Sequence, residues 1–278
     1  MKRMILVVIL CSLMISPARA QDTFPREVRD PSGATVTVPA RPSIVAVVGD
    51  TALLQLLLPA DAIRPVDPTA DLTTLDWTDI GLFVIPDLYA AAYPDLFQAA
   101  QDRAVPVFQT IAISSLYGWR TTLTSLGQAT GHEDAAAGVL ARLDRRLDAV
   151  QQATAGREPV HILALTPEGY TFGEASLFTE LVEAADGLNV AATARIDDFR
   201  QVDDKTIQSL APEVILLSPA WTDEEVERFT ANRAYVIVPA VRAGRVYRLP
   251  FSPTLPDDPG AAVVALAIYL HPTALLLS

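Results

Sequence analysis

Cysteine is nearly missing from this chain: the one present, Cys11, sits inside an apolar run near the N-terminus. Lys2 and Arg3 open that run, Met4 to Ile15 forms its body, and Ala18-Arg19-Ala20 supplies a small-x-small cleavage pattern before Gln21. That arrangement is the form of a secretory signal peptide, 1–20, cut after Ala20; the run is short for a membrane span and lacks stop-transfer flanks. Bulky Leu10 before Cys11 argues against lipid attachment. Removing the signal removes the cysteine, so the exported chain can form no disulfide even where one is permitted. Stability must then come from burial, for which the remaining length suffices. No later stretch is long and apolar enough to cross a bilayer.

Basic charge is scarce as well. The chain carries 21 Lys+Arg against 33 Asp+Glu, a net charge of −12, and loss of Lys2, Arg3 and Arg19 with the signal makes the remainder more acidic still. Nucleic acid is not an expected partner, because phosphate recognition needs a basic footprint. The acidity reads as a solvated surface that keeps an exported protein soluble. Histidine is limited to His132, His161 and His271, which do not cluster, so a direct zinc or manganese site of several His with carboxylates is not expected. There is no Gly-x-Ser-x-Gly elbow, no Gly-rich phosphate loop and no metal-ligand helix motif. The chain is therefore read as no enzyme, an exported α/β hydrolase using Ser114, Ser115 or Ser176 being the alternative, and a sensor or scaffold without transport a third class.

What is present is alternation. Strands are expected at Ser43–Val48, Leu82–Ile85, Val105–Phe108, His161–Leu165, Val214–Ser218, Tyr235–Val238 and Val246–Leu249, from short apolar or β-branched runs. Helices are expected at Thr51–Leu58, Asp95–Arg103, Trp119–Thr130 with Gly131 as the stop, Leu177–Ala185, Asp223–Ala231 and Gly260–Leu270. From His132 to Ala153 the pattern is one long helix with Val139, Leu140, Leu143, Leu147 and Val150 on a stripe, on the order of 30 Å at ~1.5 Å per residue. The fold class is thus α/β: two Rossmann-like lobes with mostly parallel sheets joined by one long interlobe α-helix. The N-terminal lobe is placed at 21–130, the interlobe helix at 131–155 and the C-terminal lobe at 156–278.

Parallel sheets put ligands beyond the carboxyl ends of their strands. The segments there carry Asp50, Thr51, Tyr89, Tyr93, Tyr117 and Trp119 in the first half, and Glu168, Tyr170, Phe172, Phe199, Arg200, Trp221 and Phe251 in the second. Each ring could equally cap a sheet end as ordinary core. Their clustering in both halves favours a binding wall for a flat or greasy ligand, with Tyr hydroxyls and an Arg as the polar contacts.

The stretch "PSIVAVVGDTALLQLLLPADAIRPVD" at 42–67 resembles the opening strand and helix of class III periplasmic binding proteins, the substrate-capture subunits of ABC importers for ferric siderophores, haem and cobalamin. "FTELVEAADGLNVAA", "TIQSLAPEVILLSPAW", "VPAVRAGRVYRLP", the late "YLHP" and the early "REVRDPSGATVTVPARP" are similar to the family's later helix and turn, its helix-Pro-strand pattern, its closing elements and its opening hairpin, in the right order. The resemblance implies a monomeric periplasmic protein that captures a small-molecule chelate, an iron chelate or tetrapyrrole not held permanently, and hands it to an inner-membrane permease with its ATPase. Ferric siderophore is expected first, haem next through loop tyrosines as axial ligands, and cobalamin third. It also implies a surface glutamate on each lobe that docks to permease arginines. The matching residue of the second lobe is Glu180; in the first lobe the pattern departs, leaving Asp76, or else Asp71 or Asp79, as substitutes.

Overall fold

The computed structural model describes residues 23–69, 75–253 and 256–273. Residues 1–20, expected as a signal segment, and Asp71 lie outside them. An antiparallel hairpin comes first, β1 (Arg26–Arg29) on β2 (Thr35–Val38), with Arg26 opposite Val38. Asp30 holds its turn by accepting from the Ala34 N–H and the Ser32 hydroxyl, while its second oxygen accepts from the Gln109 N–H and ties the hairpin to the first lobe.

The first lobe continues through β3 (Ile44–Val48), α1 (Ala52–Gln55), β4 (Ile63–Val66), β5 (Ile80–Pro86), α2 (Asp87–Ala92), α3 (Pro94–Asp102), β6 (Val107–Thr110) and α4 (Leu116–Thr130). Its sheet is parallel, in the order β4-β3-β5-β6. Strand β3 is apolar at every position because both faces are covered: Val45 and Val47 enter one core cluster, Ala46 and Val48 the other. Leu82/Val84 and Phe83/Ile85 of β5 divide the same way.

Gly131 ends α4 in the left-handed conformation, φ 72°, where a Cβ would lie 2.7 Å from Arg41 Nε. Helix α5 (Glu133–Thr154) follows at once. Ala136, Val139 and Leu143 belong to the first-lobe core, Val150 belongs to a second-lobe core, and Leu147 packs against both. One helix therefore furnishes part of two cores.

The second lobe runs β7 (Val160–Leu165), β8 (Tyr170–Phe172), α6 (Leu177–Ala184), β9 (Gly187–Asn189), α7 (Val190–Thr193), β10 (Phe199–Gln201), α8 (Asp204–Leu210), β11 (Val214–Leu217), α9 (Asp223–Thr230), α10 (Pro239–Arg242), β12 (Val246–Arg248) and α11 (Pro259–Leu270). Its parallel sheet has the order β12-β11-β7-β9, and β8 pairs separately with β10, antiparallel. The chain can pass close to the β10 approach only because position 173 is glycine, where a Cβ would sit 1.9 Å from the Ile196 carbonyl oxygen.

Two expected elements differ. Tyr235–Val238 is no strand: a 3-10 turn over Arg233–Tyr235 leads into α10. Tyr235 and Val238 are buried while Val236 and Ile237 are about 60 % exposed, a spacing of three that a strand cannot give, and Pro239 has no N–H for a ladder. The helix expected over Thr51–Leu58 shortens to α1, ahead of Pro59.

Candidate functional site

Three adjacent parallel strands of the first sheet end on the same side, so the chain leaving them converges: Asp50 after β3, Asp87 and Leu88 after β5, Ile111 to Ile113 after β6. They line a cavity of about 250 Å³ with Leu53, Tyr89 and Trp119, and the second lobe contributes Pro256 and Asp257. A second recess, about 290 Å³, shares Pro256 and Asp257 and adds Phe251, Ser252 and Asp258. A third, about 350 Å³, shares Ser252 and lies beyond the carboxyl ends of β7 and β11, against Thr166, Phe172, Phe199 and Ser218. Together they trace a cleft from the ends of one sheet to the ends of the other, where open parallel sheets receive ligands.

The wall chemistry is apolar with a few carboxylates. Asp50 Oδ1 accepts from the Ala52 N–H and Asp87 Oδ1 from the Leu88 N–H, each at 2.8 Å, which fixes both acids at the starts of short helices. No lysine or arginine lines any of the three recesses among the described residues. Trp119 is 1 % exposed and Ser218 6 %, and among the described residues the Trp119 indole N–H has no acceptor and the Ser218 hydroxyl no partner. Asp258 caps α11 by accepting from the Ala261 N–H and pairs with Arg146 of α5, which anchors the segment behind Asp257 to the interlobe helix. Partial burial pushes the Asp258 carboxyl up, but the Arg146 guanidinium and the Ala261 N–H outweigh it and hold the group below the usual aspartate range.

The expected aromatic residues separate into groups. Tyr89 and Trp119 line the first cavity, and Tyr93 stacks on Tyr89 with centroids 6.2 Å apart. Phe199 lines the third recess and stacks with Tyr170 at 4.7 Å, tilting also against Phe172. Phe251 lines the second. Trp221 lines none of the recesses: it is 8 % exposed, packs edge-on to Phe229 at 5.4 Å, donates its Nε1–H to the Leu165 carbonyl and belongs to the core behind the second sheet. Tyr117, 79 % exposed, and Arg200, exposed on β10, line none of the recesses.

Glu180 is half-buried rather than solvated: its Oε2 accepts from the Leu116 N–H at 2.6 Å, at the start of α4 in the opposite lobe. Asp76 lies exposed before the amino end of β5, accepting from the Thr78 N–H, at the far end of the first sheet from Leu116. The structure does not bring these two acids to one edge. Two of the three serines weighed as nucleophiles are helix caps: Ser115 Oγ accepts from the Gly118 N–H and Ser176 Oγ from the Thr179 N–H. Among the described residues no group of three or more His, Cys, Asp or Glu is placed to hold a metal, and no helix is long and apolar enough to cross a membrane.

Sequence reasoning missed Asp87, Leu88, Ser218 and Asp257. The first three lie within two residues of strand ends, and that position was the available signal.

The family described as periplasmic binding protein matches residues 84–253. No curated protein matches the sequence. Among solved structures, the nickel(II)-bound CeuE protein of Helicobacter pylori superposes with a TM-score of 0.72 at 15% identity, covering 91% of this chain and 91% of that one. The periplasmic haem-binding protein RhuT of Roseiflexus sp. RS-1 gives 0.66 at 20% identity, over 84% and 99%. The molybdate periplasmic binding protein MolA of Haemophilus influenzae gives 0.69 at 15%, over 90% and 93%.

Proposed function

Because the chain belongs to the periplasmic binding protein family, we propose that it is the exported capture subunit of an ABC importer, taking a ferric siderophore or related metal chelate into the cleft and delivering it to a membrane permease driven by a separate ATPase. One observation carries this reading: an apolar cavity at the carboxyl ends of the first sheet, walled by Tyr89 and Trp119 and reached from the second lobe by Pro256 and Asp257. Such a wall suits a ligand that has already satisfied its metal and presents an organic surface. A bare ion would need a ligand shell instead.

The protein acts as a monomer in the periplasm, and Glu180 contributes to permease docking at the lobe junction. Haem is the second reading, favoured by Tyr89, whose phenol at the cavity wall is of the type that ligates haem iron.

The test is thermal unfolding of the purified protein with ferric siderophores, haemin, cobalamin and free divalent metals. Saturating ligand at about a hundred times its Kd stabilises by about 2.7 kcal/mol, which is a readable rise in Tm. A rise with a chelate supports the proposal, and a Soret band altered in Tyr89→Ala selects haem. A rise with free divalent metal alone overturns the chelate reading, and turnover of any ligand overturns binding without chemistry.

A further inference from the structure

The charge of the cleft narrows the ligand class. Every ionisable group lining the three recesses, apart from the Tyr89 phenol, is an aspartate: Asp50, Asp87, Asp257 and Asp258. Asp258 is matched by Arg146. The other three form no ion pair among the described residues, and each is exposed toward solvent at the cleft. The arginine nearest in sequence to the second wall, Arg200, follows Phe199 on β10, is exposed and lines none of the three recesses, and Arg248 is engaged with Asp223 and with the Trp221 carbonyl.

Around these acids the surface is hydrocarbon, including Leu88 and Ile111, which are exposed at the cavity rim. Two buried groups, the indole N–H of Trp119 on one wall and the hydroxyl of Ser218 on the other, have no partner among the described residues.

We propose that the cleft takes an electroneutral or singly cationic metal chelate with an apolar periphery, of the tris-hydroxamate kind, and rejects polyanionic chelates. The inference rests on the metal-chelate reading above and follows from charge counting. Three singly charged hydroxamates neutralise a ferric ion, and a pendant ammonium makes the complex a cation. Three doubly charged catecholates leave a trianion, and haem brings two propionates. An anion in this cleft would lose hydration and meet three carboxylates without ion pairs, with no guanidinium or ammonium among the described lining residues, which is the arrangement that builds specificity by repulsion. A cation meets the reverse.

The experiment follows quenching of intrinsic tryptophan fluorescence at low and moderate salt. The probes are a ferric linear tris-hydroxamate with a free terminal ammonium, the same complex N-acetylated, a ferric tris-catecholate, haemin, and a metal-free tetraalkylammonium of similar size. The expected order is ammonium complex, then acetylated complex, with the catecholate and haemin far weaker. The first two should differ by on the order of tenfold, and the ratio should shrink as salt screens the field.

Asp50→Asn with Asp87→Asn keeps an Oδ1 acceptor for Ala52 and Leu88, so the local turns survive, and should bring the ratio towards unity. Tighter binding of the catecholate or haemin overturns the inference and leaves the chelate reading standing. A ratio unchanged in the double variant overturns it too. Binding of the tetraalkylammonium with none of the chelates sustains the charge preference and defeats the chelate reading. No binding by any neutral or cationic probe overturns the inference.

Discussion

At Glu180 the carboxylate receives the Leu116 N–H, so an acid on α6 satisfies one of the orphan donors at the start of α4 across the lobe boundary. A charge-assisted hydrogen bond in a half-buried setting contributes about 1–2 kcal/mol. Glu180→Ala is expected to lower Tm accordingly, and Glu180→Gln, which keeps an oxygen acceptor, to recover part of the loss. Uptake in cells separates the two roles: a docking carboxylate predicts reduced transport in Glu180→Gln at nearly unchanged ligand affinity, whereas unchanged transport leaves Glu180 with the lobe contact alone. Asp258 gives a prediction in pH. Its folded-state pKa lies below the ordinary 3.8, so the Arg146 tether contributes fully above that value and is lost as pH falls through the lower folded value. The Arg146→Met variant should show a flatter fall in stability below pH 4 than the parent, measured by denaturant unfolding across that range. Trp221 shows why single residues were the least legible part of the sequence. Its place after a strand was visible, but which side of the sheet the ring takes depends on Phe229 of the following helix and on the Leu165 carbonyl, which is distant in sequence.

Among the elements, the central strands were legible because double-sided burial demands uninterrupted apolar residues. Val214, Ile215, Leu216 and Leu217 of β11 alternate between two clusters and leave nothing polar to mislead. Helix α4 was legible at its end, since Gly131 occupies a left-handed position. Strands β8, β9 and β10 were not, because three residues carry no period and their pairing is set by distant chain. Helix α5 announced itself by its stripe, and its middle is where a cavity should cost most: Leu143, 2 % exposed, packs in the first core and against Gly260 at the start of α11. Leu143→Ala is expected to destabilise by about 2–5 kcal/mol, read as a lower denaturant midpoint at an unchanged slope. A lower slope would mean that the lobes had come apart into separate transitions.

For the molecule as a whole, the cleft is bounded by two sheets whose relative position is held by α5, by the Arg146–Asp258 pair and by the Glu180 contact. A continuous helix hinges less readily than an extended strand, so ligand closure should be small. Small-angle scattering with and without a saturating chelate is expected to give nearly superimposable profiles, and a large compaction would refute this. The two-lobed plan was legible from alternation broken by one long amphipathic helix. The cleft's acidic character was not, because Asp50, Asp87 and Asp257 are far apart in sequence and only the convergence of strand ends makes them neighbours.

The shared helix also decides what happens if the polypeptide is divided. A break at the exposed Gly156 turn leaves Val150 and Leu147 on the upstream fragment, so the downstream piece would present the uncovered flank of α6 and α11 to water. The two pieces are then obligate complements: the upstream one carries a ready-made plug for its partner, and the downstream one stays soluble only by capturing it. Co-produced halves should reassemble into a ligand-competent whole, and the downstream half produced alone should precipitate.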